Sequence, residues 1–273
     1  MSTKSLKKSK FKSNNLLNNS IKDELDYFVD KYNTVEFIQN DPISIPHQFS
    51  SKKDIEIISI LVSTIAWGNR LSIVKSGLKL IEIMNGEPYK FISKYCEKDL
   101  DILGDFKHRT FNSFDLHFYL LRLKYIYEKW NGIENVFKKG FSIDGSAASA
   151  ISFYRKVVIS EEFKGIRTSK HIANPANGSA AKRLNMFLRW MVRKDSRGVD
   201  FGLWKTIPAS ILSCPLDVHS GRSARKYGLI KRKFNDIKAV NELDGSLRHL
   251  DPIDPVKYDF ALFGIGVEKN ELV

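Results

Sequence analysis

Two side chains, Lys182 and Asp217, are the pair in this chain best suited to act together on a substrate. A neutral lysine amine attacks an electrophilic carbon and leaves an imine. A carboxylate held beside it stabilises positive charge developing on a sugar ring, or takes a proton from the amine or from a water. The two residues are 35 positions apart, so the chain between them must fold back to bring them together.

The elements around the lysine follow from the local pattern. The turn Asn174-Pro175-Ala176-Asn177-Gly178-Ser179 precedes a helix expected over 180–193. Gly178 permits a positive φ, and Ser179 can cap the helix start. Free amide hydrogens there, with the helix dipole, form an anion site, so Asn177, Gly178, Ser179 and Ala180 are candidate phosphate contacts. Leu184, Phe187, Leu188 and Met191 recur at helical spacing and form the expected buried face. Lys182, Asn185, Arg189 and Arg193 fall on the other side, which places Lys182 one turn inside the helix on its polar face. Partial burial and neighbouring cations there would favour the neutral amine. Taken alone, a capped helix carrying a solvated lysine accounts for the same pattern.

Asp217 stands at the start of a helix expected over 219–227, where a carboxylate caps orphan amides. His219, Arg222, Arg225 and Lys226 give that helix a basic side suited to phosphates. Asn69 and Arg70 lie between helices expected over 51–66 and 71–84. They form either an ordinary interhelical turn or one that touches DNA. Cys214, three residues before Asp217, has no base nearby in sequence.

The remaining periodic segments are also helical, over 21–32, 88–95, 114–130, 132–139, 145–160, 236–248 and 254–264. The helix over 51–66 is apolar on most sides and should be central. The aromatic and leucine stripe from Phe114 to Trp130 reads as core. No strand alternation persists beyond a few residues, so the expected class is all-α. Residues 41–47 read as a loop, because each proline disfavours helix in its predecessor. Residues 194–213 are expected to loop out, with Gly198, Gly202 and Pro208 as breakers.

The 273 residues carry a net charge of +13, with an isoelectric point near 9.5. A balance this basic favours a polyanion. Five of those charges are lysines within residues 1–12, which leaves +8 for the rest and suggests a disordered basic tail over 1–18. Residues 19–273 are then one helical domain. No apolar run reaches the roughly 18 residues of a membrane span. Two cysteines, Cys96 and Cys214, cannot complete an iron–sulfur cluster or a four-thiolate zinc site. They read as reduced thiols of a cytoplasmic protein, with no metal at the site.

The stretch from Asn174 to Leu229 resembles the helix-hairpin-helix DNA glycosylase superfamily, which includes endonuclease III and the archaeal 8-oxoguanine DNA glycosylases. Lys182-Arg183-Leu184-Asn185-Met186-Phe187-Leu188-Arg189 is similar to the lysine helix of the archaeal enzymes. Asp217-Val218-His219-Ser220-Gly221-Arg222 is similar to the aspartate segment, and Asp259-Phe260-Ala261-Leu262-Phe263-Gly264 resembles the closing helix. As a whole the chain looks most like a bacterial domain-of-unknown-function family distantly related to these enzymes. The resemblance implies two helical subdomains around a central cleft, the second spanning roughly 110–215. It implies Lys182 as the Schiff-base lysine, Asp217 as the catalytic aspartate, and residues 177–180 on phosphate. A monovalent cation at the hairpin would be compatible. The implied activity is excision of a damaged base, such as an oxidised purine, from duplex DNA by a monomeric glycosylase/lyase, with the target nucleotide flipped out. The four-cysteine cluster of endonuclease III is absent, and no other cofactor is implied. A DNA-binding module of the same fold without chemistry, or a helical RNA-binding or structural protein, are the alternative expectations.

Overall fold

A computed structural model describes residues 20–271, and the basic tail expected over 1–18 lies outside the described residues. Helix α1 spans 20–32. The proline-rich stretch after it is not a plain loop. It forms two 3-10 turns, Pro42–Ser44 and Pro46–Gln48, each begun by a proline. Proline suits a first helical position, where its missing N–H would have had no partner.

Next come α2 (Lys52–Ile65), α3 (Arg70–Ile83) and α4 (Pro88–Lys94). Every residue of α2 from Ile55 to Ile65 is buried, as its all-round apolar character requires. It packs against α3, α4 and, later in the chain, the lysine helix. Its Asp54 accepts the Tyr89 amide at 2.8 Å, so a carboxylate of α2 satisfies the start of α4. A two-residue hairpin, β1 (Lys107–His108) with β2 (Phe111–Asn112), follows and was not foreseen. Strands this short leave no alternation to detect. Then come α5 (Ser113–Trp130), α6 (Ile133–Asp144) and α7 (Ala147–Val158), with α6 and α7 paired closely. Most of the α5 stripe is core, although Phe114 is exposed.

The second half holds α8 (Lys182–Val192), α9 (Val218–Lys226), α10 (Ile237–Leu250) and α11 (Tyr258–Glu271). The described residues are all-α apart from the small hairpin. One continuous hydrophobic cluster runs from Leu25 in α1 to Ile265 in α11. None of the helices is long and apolar enough to cross a membrane among the described residues.

The face of α8 expected to be polar is buried beyond its first two residues. Every residue from Leu184 to Val192 is buried, Asn185 and Arg189 included, and Arg193 beyond its end is buried too. The two arginines face carboxylates instead of water. Arg189 pairs with Asp259, and its Nε lies 3.2 Å from Asp200. Arg193 meets Asp195 at 2.8 Å, Asp254 at 2.9 Å and Asp200 at 3.1 Å. The 194–213 segment is irregular, as expected, but much of it is packed. It carries Asp200 onto α8 and buries Trp204, whose indole donates to Glu56 of α2 at 2.7 Å.

Removing one member of a buried ionic set leaves its partners uncompensated. Arg193→Ala should therefore cost about 3–5 kcal/mol of unfolding free energy in urea. A loss within about 1 kcal/mol would show that the network is dispensable.

A second buried carboxylate links stability to pH. Asp244 of α10 accepts the Cys214 amide at 2.9 Å, and burial pushes its carboxyl up to about 6. The folded protein thus holds this proton more tightly than the unfolded chain, where the value is about 3.9. The contribution to stability is full below pH ~4 and is lost as pH rises through ~6. Asp244→Asn keeps the acceptor and removes the titration. Its stability relative to wild type should rise by roughly 2–3 kcal/mol between about pH 4 and 6.5. A pH-independent difference would refute the assignment.

Candidate functional site

The turn before α8 places the lysine. Residues Pro175–Asn177 form a 3-10 turn, and Gly178 leaves it at φ 90°, a conformation that favours glycine. Ala181 is also left-handed, at φ 50°. These two reversals delay the helix, which begins at Lys182 and not near residue 180. Lys182 is therefore the first helical residue, not one turn inside. Ser179 does not cap by the expected route; its hydroxyl accepts the Ala181 amide at 3.2 Å.

The amides of this turn are also committed differently from the expectation. Asn177 and Ser179 donate to the Asn174 carbonyl, and Gly178 donates to that of Pro175. These three amides close the turn, so they are not the free phosphate donors that the sequence suggested. The hairpin can offer an anion its side chains and the positive end of α8.

Asp217 divides its work between two oxygens. Oδ1 caps α9 by accepting from His219 N at 2.8 Å and Ser220 N at 3.0 Å, and Ser220 Oγ accepts in return from Asp217 N at 2.9 Å. Oδ2 lies 3.6 Å from Lys182 Nζ. Capping and pairing thus coexist, because each uses its own oxygen. Both side chains remain about a quarter exposed, at 28% and 24%.

Phe263 of α11 is the surface on which this end of the molecule gathers. Lys182 Nζ lies 5.9 Å from its ring centroid, the Arg70 guanidinium 5.4 Å, and the His219 ring 6.1 Å. Helix α9 reaches α11 closely at Gly266, where a Cβ would come within 2.8 Å of the His219 carbonyl oxygen. Lys182 opens onto a cleft also lined by Phe37, Ile38, Asp41, Met186 and Phe263. Arg189, Asp259 and Phe260 complete its lining. Burial pushes the Asp259 carboxyl up to about 6, against the pull of Arg189 and Lys182.

The other expected contacts divide. Arg70 joins Lys182 at Phe263, while Asn69 caps α3 by accepting from Ser72 N at 3.2 Å. Arg222 is exposed. Arg225 is turned inward, donating to Arg232 O at 2.8 Å and Asn235 Oδ1 at 2.6 Å, so it braces a loop. Cys214 is fully buried, and its thiol is pushed far up by burial, next to Asp259 and Asp244. Sequence reasoning missed the cleft residues of α11. Asp259, Phe260 and Phe263 share one helical face, and Lys182, Met186 and Arg189 share another at i, i+4, i+7. Helical spacing within each set was the available signal.

Fold and site together define an all-α protein with a lysine–carboxylate pair at the mouth of an interhelical cleft. Residues 41–268 match the family described as Protein of unknown function (DUF2400), and the chain belongs to that family. No curated protein and no solved structure gives a match.

Two substitutions separate the roles of Asp217. Asp217→Ala removes the cap and should lower stability by about 1 kcal/mol. Asp217→Asn keeps an accepting oxygen and should stay within a few tenths of wild type. Thermal melts of the two variants check this, and an equal loss in both would deny the capping role.

Proposed function

We propose that this protein is a DNA glycosylase/lyase of helix-hairpin-helix type that removes a damaged base through a Schiff base on Lys182. The approach of Lys182 Nζ to Asp217 Oδ2, 3.6 Å across 35 residues of chain, carries this reading. Lys182-to-Arg189 and Asp217-to-Arg222 resemble the two catalytic segments of that superfamily, and the proposed pair takes its roles from them.

In the proposed reaction Lys182 first gives up a proton, and Asp217 Oδ2 is placed to take it. The neutral amine attacks C1′ of the target nucleotide. The C1′–N bond breaks, and its electron pair leaves with the base, which gains a proton. The bound nitrogen then loses one proton, its electron pair forms C1′=N as the C1′–O4′ bond breaks, and O4′ takes up a proton, which leaves an iminium. Loss of a C2′ proton then expels the 3′ phosphate, and water releases the lysine. Asp217 passes the proton it took to the departing base and, a carboxylate again, stabilises positive charge on the sugar. The cleft beside Lys182 holds about 40 Å³, so a flipped base enters it only if α8 and α11 part. Phe37, Met186, Phe260 and Phe263 supply apolar walls, and the Asp41 side chain adds a carboxylate to the lining. Arg70 and Arg222 are the proposed backbone contacts. The net charge of +13 supports a duplex DNA partner.

Borohydride trapping on abasic and oxidised-base duplexes tests the mechanism. Wild type should give a covalent protein–DNA adduct and Lys182→Ala none. Asp217→Asn should slow adduct formation by about 10²–10³-fold. Adduct from the Lys182→Ala protein, or none from wild type on any lesion, would sink it.

A further inference from the structure

The loop between α9 and α10 presents an aromatic side chain to solvent on a braced support. Phe234 is 71% exposed, and Val218 beside it is 64% exposed. The two line one surface groove with Arg222, Arg225, Lys233 and Asn235. The run Lys231-Arg232-Lys233 immediately precedes the phenylalanine. A large apolar ring left in water on a mobile loop would need no explanation. This loop is held at several points.

Glu242 accepts the Lys231 amide at 2.8 Å and the Arg232 amide at 3.2 Å. The Arg232 guanidinium is paired with Asp236 and lies 5.9 Å from the Phe234 ring centroid. Arg225 grips the Arg232 carbonyl and the Asn235 side chain. Asn235 in turn donates to the Asp217 carbonyl at 2.8 Å. Ile237 donates to the Gly178 carbonyl at 3.1 Å, in the hairpin before Lys182. The loop that displays Phe234 is thus bonded directly to both segments that carry the proposed catalytic pair.

We propose that Phe234 is a stacking platform for a nucleobase close to the reacting nucleotide, with Arg222 and Lys233 on the flanking phosphates. The proposal rests on the glycosylase reading for the position of the DNA. Its own support is the conjunction of an exposed ring, a rigid mount and surrounding cations. Every base has a π face, and aromatic side chains in positively charged grooves bind strands in this way. A polyanion complements this rim, whereas an apolar protein partner would have to bury its cations.

The test uses the full chain with Lys182→Ala, so that binding is read without chemistry, and a duplex bearing a tetrahydrofuran abasic-site analogue. Adding Phe234→Ala should weaken binding by about 5- to 150-fold, the range expected for one lost stack. The salt dependence should be unchanged, because the ring contacts no phosphate. Lys233→Ala should instead reduce the salt slope by about one. Phe234→Trp should restore affinity, and the emission it adds should become shielded from iodide in the complex. Equal affinity of the Phe234→Ala protein would overturn the proposal, as would added emission in the Phe234→Trp protein that is equally quenchable with and without duplex. So would a DNA-free self-association that Phe234→Ala abolishes. A stacking defect with no borohydride adduct on any lesion would leave this surface standing and remove the glycosylase reading. Adducts formed normally by a Phe234→Ala single variant of unchanged affinity would do the reverse.

Discussion

Two arginines of α8 and its C-terminal edge, Arg189 and Arg193, are withdrawn from water and neutralised by Asp195, Asp200, Asp254 and Asp259. A buried guanidinium is tolerated only where carboxylates meet it. This requirement recruits three separate stretches of chain to one helix. The irregular segment after α8 brings Asp195 and Asp200, the turn before α11 brings Asp254, and α11 itself brings Asp259. Misplacing any of them would leave charge uncompensated, so the register of α8 against α11 is tightly specified. Lys182 stands at the open end of the helix so fixed.

The cleft follows from that arrangement. Helix α11 lies against α9 at Gly266, and α9 is opened by Asp217. One carboxylate can then serve two ends, with Oδ1 on the backbone of its own helix and Oδ2 towards the lysine of another. The cap restrains the side chain and so holds Oδ2 towards Lys182. A positioned carboxylate costs little reorganisation when charge develops nearby. Phe263 completes the arrangement by giving Lys182, Arg70 and His219 a shared apolar surface.

Much of the helical order was readable from spacing. The apolar pattern of α2 marked it as central, and its burial from Ile55 to Ile65 agrees. The ends of helices were less legible. Ala181 takes a left-handed conformation that no residue type announces, and it moved the start of α8 to Lys182. Proline misled in the opposite direction at Pro42 and Pro46, where it opened 3-10 turns in a stretch read as loop. Residues placed on the polar face of α8 are buried, because periodicity records where apolar groups fall and not what the other face meets. Arg225 shows the same blindness, since its basic character suggested a phosphate while Asn235 and the Arg232 carbonyl took its donors.

Local chemistry alone therefore settled the class, the central helix and the capping aspartate. These depend on propensity and periodicity, which act over a few residues. The meeting of Lys182 with Asp217, the cleft between α8 and α11, and the burial of Arg189 and Arg193 were decided by folding. Each depends at least in part on partners tens of residues away, such as Asp254 and Asp259, and a linear pattern does not encode which charges will face one another once water has been excluded.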